Sequence, residues 1–540
     1  MSEKQGKEVM EKEGLSDWSE FNLASFPLSN NDEEKSKSKG LTRKELNDLL
    51  GDGIEIYCSN WNNWHADKNL GLWENYYWGE KGKLWAAGYV GAQWLRDKDN
   101  KYIKHNEQYL PLIVGPRFGD SKIIARMLET VLDDDEFHLY DEAREKTEQD
   151  EDNDNNRNNK KESNNTPQNK LFEVFETDPL IPLDSKQSED FLFFQIVLFL
   201  RSLYDLCRKT IRYQPITIQE NLLGRVKGKI LINQHIRRNI VQGREDRVYC
   251  QYQKFSMDCR ENRILKAAME KSMRYLDSRG LTLERAVEWY HYCASILAPV
   301  ALCEIGRQDF IGLKFNGVFK HYKSPIKHAE RVLKGVSLIL QDTESKSREA
   351  IPPYYINMNM LFEFYVRSLF RKAIKEKKLN AELHPYISFE QMKKDEKNPN
   401  KDELQTFKGK KPQKGLLSPF LIPDIWIRRD DDNKDNDNKN IVIDVKYKNT
   451  ESNNYNARAD THQILAYGKK FDACVMGMVY PCSGNKCSET CSKNKCLEPF
   501  IINNKLKKDK LVIIRLPMNE DKKNWHYCTI KAAICENILR

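Results

Sequence analysis

Two short hydrophobic runs flank a polar loop in the last quarter of the chain. Residues 421–429 read L-I-P-D-I-W-I-R-R and residues 441–448 read I-V-I-D-V-K-Y-K, with only polar and charged residues between them. Short β-type runs on either side of a loop that cannot bury itself predict a β-hairpin. Because strand side chains alternate between two faces, Asp444 and Lys446 are expected to project from the same side.

Helical periodicity dominates the stretch from residue 190 to residue 342. It predicts four helices, at residues 191–209, 261–276, 283–297 and 326–341. A further helix is predicted at residues 358–376, and its first half is expected to be largely buried because apolar residues cover most of its faces. The helical pattern returns after the hairpin, at residues 459–471.

The region before residue 143 has a different character. Strand-like runs at residues 54–57, 84–91 and 109–114, followed by an amphipathic helix at 123–132, predict a small, mostly β domain. The chain is therefore predicted to be a multidomain α+β protein. Its predicted parts are a disordered tail at 1–42, an N-terminal α+β domain at 43–143, a low-complexity linker at 144–170, a helical middle domain at 171–345 and a C-terminal α/β domain at 346–540.

Composition and charge narrow the class of protein only slightly. The chain has 540 residues, enough for roughly two to four domains. Its formal net charge of +8 is a mild excess, compatible with a nucleic-acid partner. Apolar runs are too short to span a bilayer, the first residues lack a signal-peptide core, and 13 scattered cysteines predict reduced thiols in an intracellular protein.

Two clusters contain residue types that contact nucleic acids. The first consists of Trp61, Trp64, Trp73 and Trp78. It suits a platform for stacking bases, but clustered tryptophans are more often the core of a small β domain. The second is a basic segment at residues 223–229, followed by Arg237, Arg238, Arg244 and Arg247. It suits DNA phosphates or a partner surface, and a solvated charged face is the ordinary alternative.

The hairpin carries a candidate catalytic set. Asp424 and Asp444 on neighbouring strands suit Mg²⁺, a hard cation that takes oxygen ligands. A magnesium ion polarises a scissile phosphate and lowers the pKa of a bound water. Lys446 beside it suits orientation of that water and stabilisation of charge in the transition state. The alternative is that Asp444 and Lys446 form an ordinary pair on a solvated strand face.

Two helices add candidate supporting residues. Glu363 lies in an apolar setting, where a carboxylate requires a partner or a metal. Its partner is either Arg367, one turn further on, or a metal that it shares with the hairpin carboxylates. Gln463 and Tyr467 share one face of their helix and suit the lining of the same site. Gln463 also suits a helix cap together with Asp460.

Four cysteines lie in a polar loop near the end of the chain. They are Cys482, Cys487, Cys491 and Cys496, with the spacing C-x4-C-x3-C-x4-C. Four thiolates within so short a stretch suit a structural zinc ion. The gaps are wider than the usual C-x2-C, so an iron–sulfur cluster and free thiols are the alternatives.

An ordered set of motifs runs through the chain from residue 224 to residue 467. The motifs are G-R-V-K-G-K-I at 224–230, D-R-V-Y-C-Q-Y at 246–252, E-N-R-I-L-K-A-A at 261–268, M-N-M-L-F-E-F-Y-V at 358–366, P-D-I at 423–425, I-D-V-K-Y-K at 443–448 and D-T-H-Q-I-L-A-Y at 460–467. The P-D and D-V-K elements of the hairpin are similar to those of the PD-(D/E)xK nuclease superfamily. The whole set resembles McrC, the nuclease subunit of the McrBC 5-methylcytosine restriction system, and occurs in that family's order, whereas residues 46–135 match loosely and the cysteine loop lies outside the pattern.

The resemblance implies a C-terminal restriction-endonuclease-like domain that cuts duplex DNA with Mg²⁺. It implies that Asp424, Asp444 and Glu363 are metal ligands, that Lys446 is the base that orients the water, and that Gln463 supports the site. It also implies a cytoplasmic protein of antiviral defence whose N-terminal domain docks on an AAA+ GTPase subunit. No G-x-x-x-x-G-K-[ST] loop occurs in these residues, which agrees with a GTPase on a separate chain.

Two other functions are compatible with the sequence. A non-catalytic adaptor would keep the nuclease fold as a DNA clamp and stimulate a motor partner, but it would not need Asp424, Asp444 and Lys446 together. A stand-alone DNA repair nuclease would use the same residues without a GTPase. A restriction nuclease of this kind would cut DNA only in the presence of GTP and its partner. This requirement distinguishes it from both alternatives.

Overall fold

A computed structural model gives the fold of the chain. It describes residues 15–16, 56–57, 76–78, 84–86, 88–94, 96–97, 102, 104–105, 108–109, 111–116, 118, 121–142, 170–175, 177–183, 185–341, 349–376, 381–383, 423–429, 440–448, 457–471, 473–482, 497–503, 508–518 and 525–533. The chain divides into two units, Met1–Asp184 with Ala350–Arg540, and Ser185–Glu349. Helices and strands are mixed throughout, so the multidomain α+β prediction is confirmed at this level.

The first unit contains a five-stranded sheet built from distant parts of the sequence. Its strand order is Leu15–Ser16, Pro111–Gly115, Tyr89–Trp94, Tyr354–Asn357 and Phe172–Val174. Gly91 is needed at its centre, because a Cβ there would lie 2.2 Å from the carbonyl oxygen of Tyr354. Residues predicted to form a separate N-terminal domain thus share a sheet with residues predicted to begin the C-terminal domain, a pairing that leaves no mark in local periodicity.

Shorter elements complete the N-terminal part. The strand pairs are Ile56–Tyr57 with Arg96–Asp97, Tyr76–Trp78 with Leu84–Ala86, and Lys104–His105 with Gln108–Tyr109. Strand Ile181–Leu183 and the helix Ser121–Leu132 follow, and the helix confirms its prediction. The predicted tail and low-complexity linker lie outside the described residues, apart from residues 15–16 and 170.

A six-stranded mixed sheet forms the C-terminal part of the first unit. Its order is Ala381–Leu383, Ile425–Arg429, Asn440–Val445, Ala473–Cys482, Lys508–Pro517 and Leu497–Asn503. The second and third of these strands pair antiparallel, which confirms the predicted hairpin. The third, fourth and fifth run parallel to one another. Parallel neighbours require a crossover, and helix Ala457–Lys470 supplies it between the third and fourth strands.

Helices cover the sheet with apolar side chains. Helix 457–470 packs Ile464 and Tyr467 onto a buried cluster that includes Val442 and Met476 of the sheet. Strand Glu349–Ile351 and strand 354–357 precede helix Met358–Glu376, whose bounds match the prediction. The Asn357 side chain caps this helix by accepting a hydrogen bond from the Met360 amide at 3.1 Å. Helix Trp525–Ala533 is the last described element.

The second unit is mainly helical. Its long helices are Ser185–Arg208, Arg260–Ser278, Glu284–Ile296 and Lys323–Gln341, which confirm the four predicted ones. Short helical turns occur at Ile232–His235, Ile236–Ile240, Arg307–Phe310 and Gly317–Tyr322. Phe194, Phe199 and Trp289 are buried between the long helices. None of the helices in the described ranges has the length and apolar character that crossing a bilayer demands.

An antiparallel sheet interrupts these helices, and the helical prediction for the middle domain did not include it. It consists of strands Gln214–Leu223, Arg247–Ser256 and Lys229–Ile230. We call residues 214–256 the arm. Most of its residues are exposed, including Val241 at 75% and Phe255 at 71%. The predicted basic segment lies on this arm, and its DNA, partner and solvent interpretations stay predictions.

The base of the arm is fixed by the E-N-R motif that begins helix 260–278. The Glu261 carboxylate accepts a hydrogen bond from the Arg212 guanidinium at 2.6 Å. The Asn262 amide donates to the carbonyl oxygens of Arg212 and Met257, at 3.0 and 2.7 Å. Its oxygen accepts a hydrogen bond from the Tyr322 hydroxyl at 2.9 Å. Asn262 therefore joins the two chain segments that enter and leave the arm.

Candidate active site

Two acidic residues meet at one end of the hairpin in the C-terminal sheet. Asp424 immediately precedes one strand of the hairpin, and Asp444 lies near the end of the other. The antiparallel register pairs Ile425 with Ile443, so it places the two carboxylates at the same end of the hairpin. The Val445 amide donates a hydrogen bond to Asp424 Oδ2 at 2.6 Å, which fixes one carboxylate oxygen beside the second strand.

Asp444 is a buried carboxylate without hydrogen-bond donors. Its exposed fraction is 0%, and neither of its oxygens accepts a hydrogen bond within the part of the chain that the structure describes. The Lys446 ammonium lies 3.0 Å from Oδ2, at ion-pair distance but poorly aligned for a hydrogen bond. Burial, and after it the negative charge of Asp424, raises the pKa of Asp444 well above its usual range.

Lys446 lies beside these carboxylates, on the same side as Asp444, as the alternation of strand side chains predicted. Burial by itself would lower the pKa of this ammonium group. The neighbouring carboxylates of Asp424 and Asp444 outweigh burial and raise the pKa of Lys446. Lys446 is therefore positively charged throughout the neutral pH range.

Glu363 reaches the same group of charges from helix 358–376. Burial, followed by the charge of Asp424, raises the pKa of Glu363 to about 8. The nearby cations Arg367 and Lys446 act in the opposite direction. Arg367, the alternative partner predicted for Glu363, directs Nε and Nη2 to the Glu136 carboxylate at 3.0 and 2.5 Å. Charges of the hairpin and of Arg367 both act on Glu363, so its two predicted interpretations stay predictions.

Helix 457–470 contributes a polar pair beside Asp444. The Gln463 amide donates a hydrogen bond to the Tyr467 hydroxyl at 2.6 Å, so the two share a face as predicted. Burial, followed by the charge of Asp444, raises the pKa of Tyr467 to about 12. Asp460, the predicted capping companion of Gln463, accepts a hydrogen bond from the Lys448 ammonium at 2.8 Å.

The donor set fits a magnesium ion held by two carboxylates. Across the described ranges, no group of three or more His, Cys, Asp or Glu side chains is arranged to hold a metal ion. Glu363 as a third ligand therefore stays a prediction. Mg²⁺ is usually bound by one or two carboxylates together with water and phosphate oxygens, a set that Asp424 and Asp444 can supply. The two Asp444 oxygens are buried and have no hydrogen-bond donor in the part of the chain that the structure describes, so they are the kind of atoms that a cation would satisfy.

One charged residue near the site, Glu136, escaped sequence analysis, and Arg367 was predicted only as a partner of Glu363. Glu136 lies in a helical stretch at residues 135–142, and Arg367 donates from Nη1 to the backbone carbonyl of Asp424. These residues are far apart in sequence and carry no shared motif. Glu136 directly follows three aspartates at residues 133–135, so the sequence around it does not mark a buried carboxylate or identify its partner.

The remaining candidate sites fall largely outside the described residues. Cys482 is buried at the end of strand 473–482, but Cys487, Cys491 and Cys496 are not described. The zinc, iron–sulfur and free-thiol alternatives for the cysteine loop thus stay predictions. Trp61, Trp64 and Trp73 also lie outside the described residues, and Trp78 is described only as part of a strand.

Sequence comparison assigns the chain to a family. The model of the family described as "McrBC 5-methylcytosine restriction system component" matches residues 173–481, which is more than half of the chain. The matched range includes Asp424, Asp444 and Lys446. The chain belongs to this family of restriction-system components. The comparison with curated proteins finds no match.

Two solved structures show distant similarity. One is the refined half-complex from the tetradecameric assembly of Thermococcus gammatolerans McrB AAA+ hexamers with bound McrC, at 14% identity and a TM-score of 0.32, covering 84% of this chain and 83% of that chain. The other is the cryo-EM structure of the Thermococcus gammatolerans McrBC complex, at 15% identity and a TM-score of 0.25, covering 54% of this chain and 69% of that chain.

Proposed function

We propose that this chain is the Mg²⁺-dependent endonuclease subunit of a modification-dependent restriction system, with a C-terminal PD-(D/E)xK domain. The observation that carries the proposal is the meeting of Asp424, Asp444 and Lys446 at one end of the hairpin, with both Asp444 oxygens buried and without a hydrogen-bond donor among the described residues. Membership of a family of restriction-system components supports it. The reaction is hydrolysis of phosphodiester bonds in duplex DNA.

Each residue of the site has a chemical role in this proposal. Asp424 and Asp444 would hold Mg²⁺. When bound, the ion supplies Lewis acidity at the scissile phosphate and makes a water molecule more acidic. Lys446, whose ammonium lies 3.0 Å from Asp444 Oδ2, would donate to a phosphate oxygen or to the attacking water. Glu363 and Gln463 would orient groups at the rim, and the products would carry 5′-phosphate and 3′-hydroxyl ends.

The proposal includes a partner. A restriction nuclease that acts on modified DNA needs a subunit that recognises and moves along the DNA, and we assign this role to an AAA+ GTPase on a separate chain. The absence of a phosphate-binding G-x-x-x-x-G-K-[ST] loop from the 540 residues supports this division of labour. Docking through the N-terminal part and a cytoplasmic location belong to the same proposal.

The test is DNA cutting by the purified full chain mixed with its GTPase partner, GTP and Mg²⁺. We expect Asp444→Ala to abolish cutting of methylated duplex DNA while circular dichroism and stimulation of the GTPase stay unchanged. Asp277→Ala, at an exposed aspartate on helix 260–278, is the matched control and should cut normally. Full cutting by Asp444→Ala rejects the site, and GTPase stimulation without any cutting by the wild type would favour the adaptor.

A further inference from the structure

A buried arginine connects the Asp424 backbone to a carboxylate that is remote in sequence. The Arg367 side chain has an exposed fraction of 0%. Its Nη1 donates to the carbonyl oxygen of Asp424, and its Nε and Nη2 donate to Glu136 at 3.0 and 2.5 Å. One planar guanidinium therefore joins the helical stretch 135–142, helix 358–376 and the first strand of the hairpin.

Asp424 is held at two points as a result. Arg367 fixes the main chain at its carbonyl, and the Val445 amide fixes carboxylate Oδ2 at 2.6 Å. With the backbone and one oxygen fixed, the direction of the remaining oxygen, Oδ1, is determined. Outer contacts of this kind orient the atoms that ligate a metal and set its affinity.

We propose that Glu136 and Arg367 are a positioning pair that orients Asp424 for Mg²⁺. This inference rests on the proposed function, because it assigns to the pair a role at the same site. Neither residue touches the reacting phosphate. Glu136 orients the guanidinium, the guanidinium orients the Asp424 backbone, and the Asp424 carboxylate meets the ion.

The geometry requires arginine at this position. A guanidinium presents several N–H donors in a rigid plane, so it can serve a carboxylate with two of them and a carbonyl with a third. A lysine ammonium keeps the positive charge beside Glu136 but lacks that fixed fork. In Arg367→Lys, the hydrogen bond that orients Asp424 is therefore lost, while the buried Glu136 carboxylate keeps a positive charge beside it.

The chain offers a matched control one turn along the same helix. Arg371 also binds Glu136, and it binds Asp134 in addition. It makes no hydrogen bond to Asp424 among the described residues. Arg371→Lys thus disturbs the same ion-pair network by the same chemical change without touching the candidate metal ligand.

The experiment measures metal binding by the full chain without DNA. Mn²⁺ is the probe, and its free concentration is read from its electron paramagnetic resonance signal. We expect Arg367→Lys to raise the Mn²⁺ dissociation constant about tenfold or more, and Arg371→Lys to stay within about twofold of the wild type. The Mg²⁺ concentration for half-maximal DNA cutting should rise by the same factor as the Mn²⁺ dissociation constant, and saturating Mg²⁺ should restore most of the rate.

The outcomes separate this inference from the proposed function. If the wild type binds no Mn²⁺ and cuts no DNA, the proposed function fails. If the wild type binds and cuts while Arg367→Lys keeps the wild-type dissociation constant, or loses no more affinity than Arg371→Lys, the positioning role alone is overturned. Should Arg367→Lys fail to fold, the charge-neutral double variant Glu136→Gln/Arg367→Gln decides by the same criterion, since it leaves no unpaired charge between these two side chains.

Discussion

Replacing Asp444 by asparagine is expected to stabilise the metal-free protein. The carboxylate is fully buried, and neither oxygen accepts a hydrogen bond in the described part of the chain. Asparagine is also a buried polar group, so the substitution removes only the extra cost of a charge, which exceeds the roughly 1–3 kcal/mol that an unsatisfied neutral group costs. The substitution also removes the ion pair with Lys446, but the Lys446 side chain is 21% exposed and keeps the carboxylate of Asp424 beside it, so we expect a loss of about 1 kcal/mol. The net expectation is a gain of about 1–2 kcal/mol.

Magnesium should reverse the order of stability. A ligand present at about 100 times its dissociation constant stabilises the folded state by about 2.7 kcal/mol, and only the wild type retains both carboxylates. The wild type should therefore unfold at a higher temperature than Asp444→Asn in Mg²⁺ and at a lower temperature than Asp444→Asn in EDTA. One kcal/mol moves the midpoint by about 2–4 °C in a domain of about 150–250 residues.

Differential scanning fluorimetry in the two buffers measures this crossover. Asp277→Asn, at an exposed aspartate, serves as the control and should lie within about 0.5 kcal/mol of the wild type in both buffers. A lower midpoint for Asp444→Asn than for the wild type in EDTA would refute the reasoning. It would mean that the Asp444–Lys446 pair contributes more to stability than burial of the carboxylate costs.

Two further predictions concern the second unit. Asn262→Ala removes three hydrogen bonds of the Asn262 side chain, one of them from Tyr322, and should destabilise the unit by about 2–4 kcal/mol. Amide hydrogen exchange in the arm should become faster than in the control variant Asn233→Ala, at an exposed asparagine. Equal exchange rates in the two variants would contradict the role of the E-N-R motif. The hydrogen bond from Arg263 lowers the pKa of Asp258 from 3.8 to about 2. A lowered pKa contributes stability that is present above about pH 4 and is lost as the pH falls through about 2. The difference in unfolding midpoint between the wild type and Asp258→Asn should therefore shrink between about pH 5 and about pH 2.5. A difference that stays constant with pH argues against the ion pair.

Local patterns were sufficient to predict much of the site. The hairpin followed from two short β runs around a polar loop, and the period of two placed Asp444 and Lys446 on one side. Gln463 and Tyr467 followed from their spacing on a helix. The bounds of helix 358–376 matched because its apolar residues recur with the helical period.

Contacts between distant segments could not be predicted in the same way. The pairing of strand 89–94 with strand 354–357 and the contact of Glu136 with Arg367 depend on how the sheets assemble, and no short window of sequence contains both partners. The strands of the arm are a different case. Residues 214–223 alternate polar and apolar positions in part, as strands do, but the strong helices on either side led to a helical interpretation of the whole region.

The five-stranded sheet also has a consequence for synthesis of the chain. Strand Tyr89–Trp94 leaves the ribosome long before Tyr354–Asn357, its partner on one edge, and residues 185–349 emerge in between. Until then that edge lacks its native neighbour, and an open strand edge is where nascent chains associate with one another. Asp424 and Asp444 are translated later still, so an unfinished chain lacks both carboxylates of the proposed metal site.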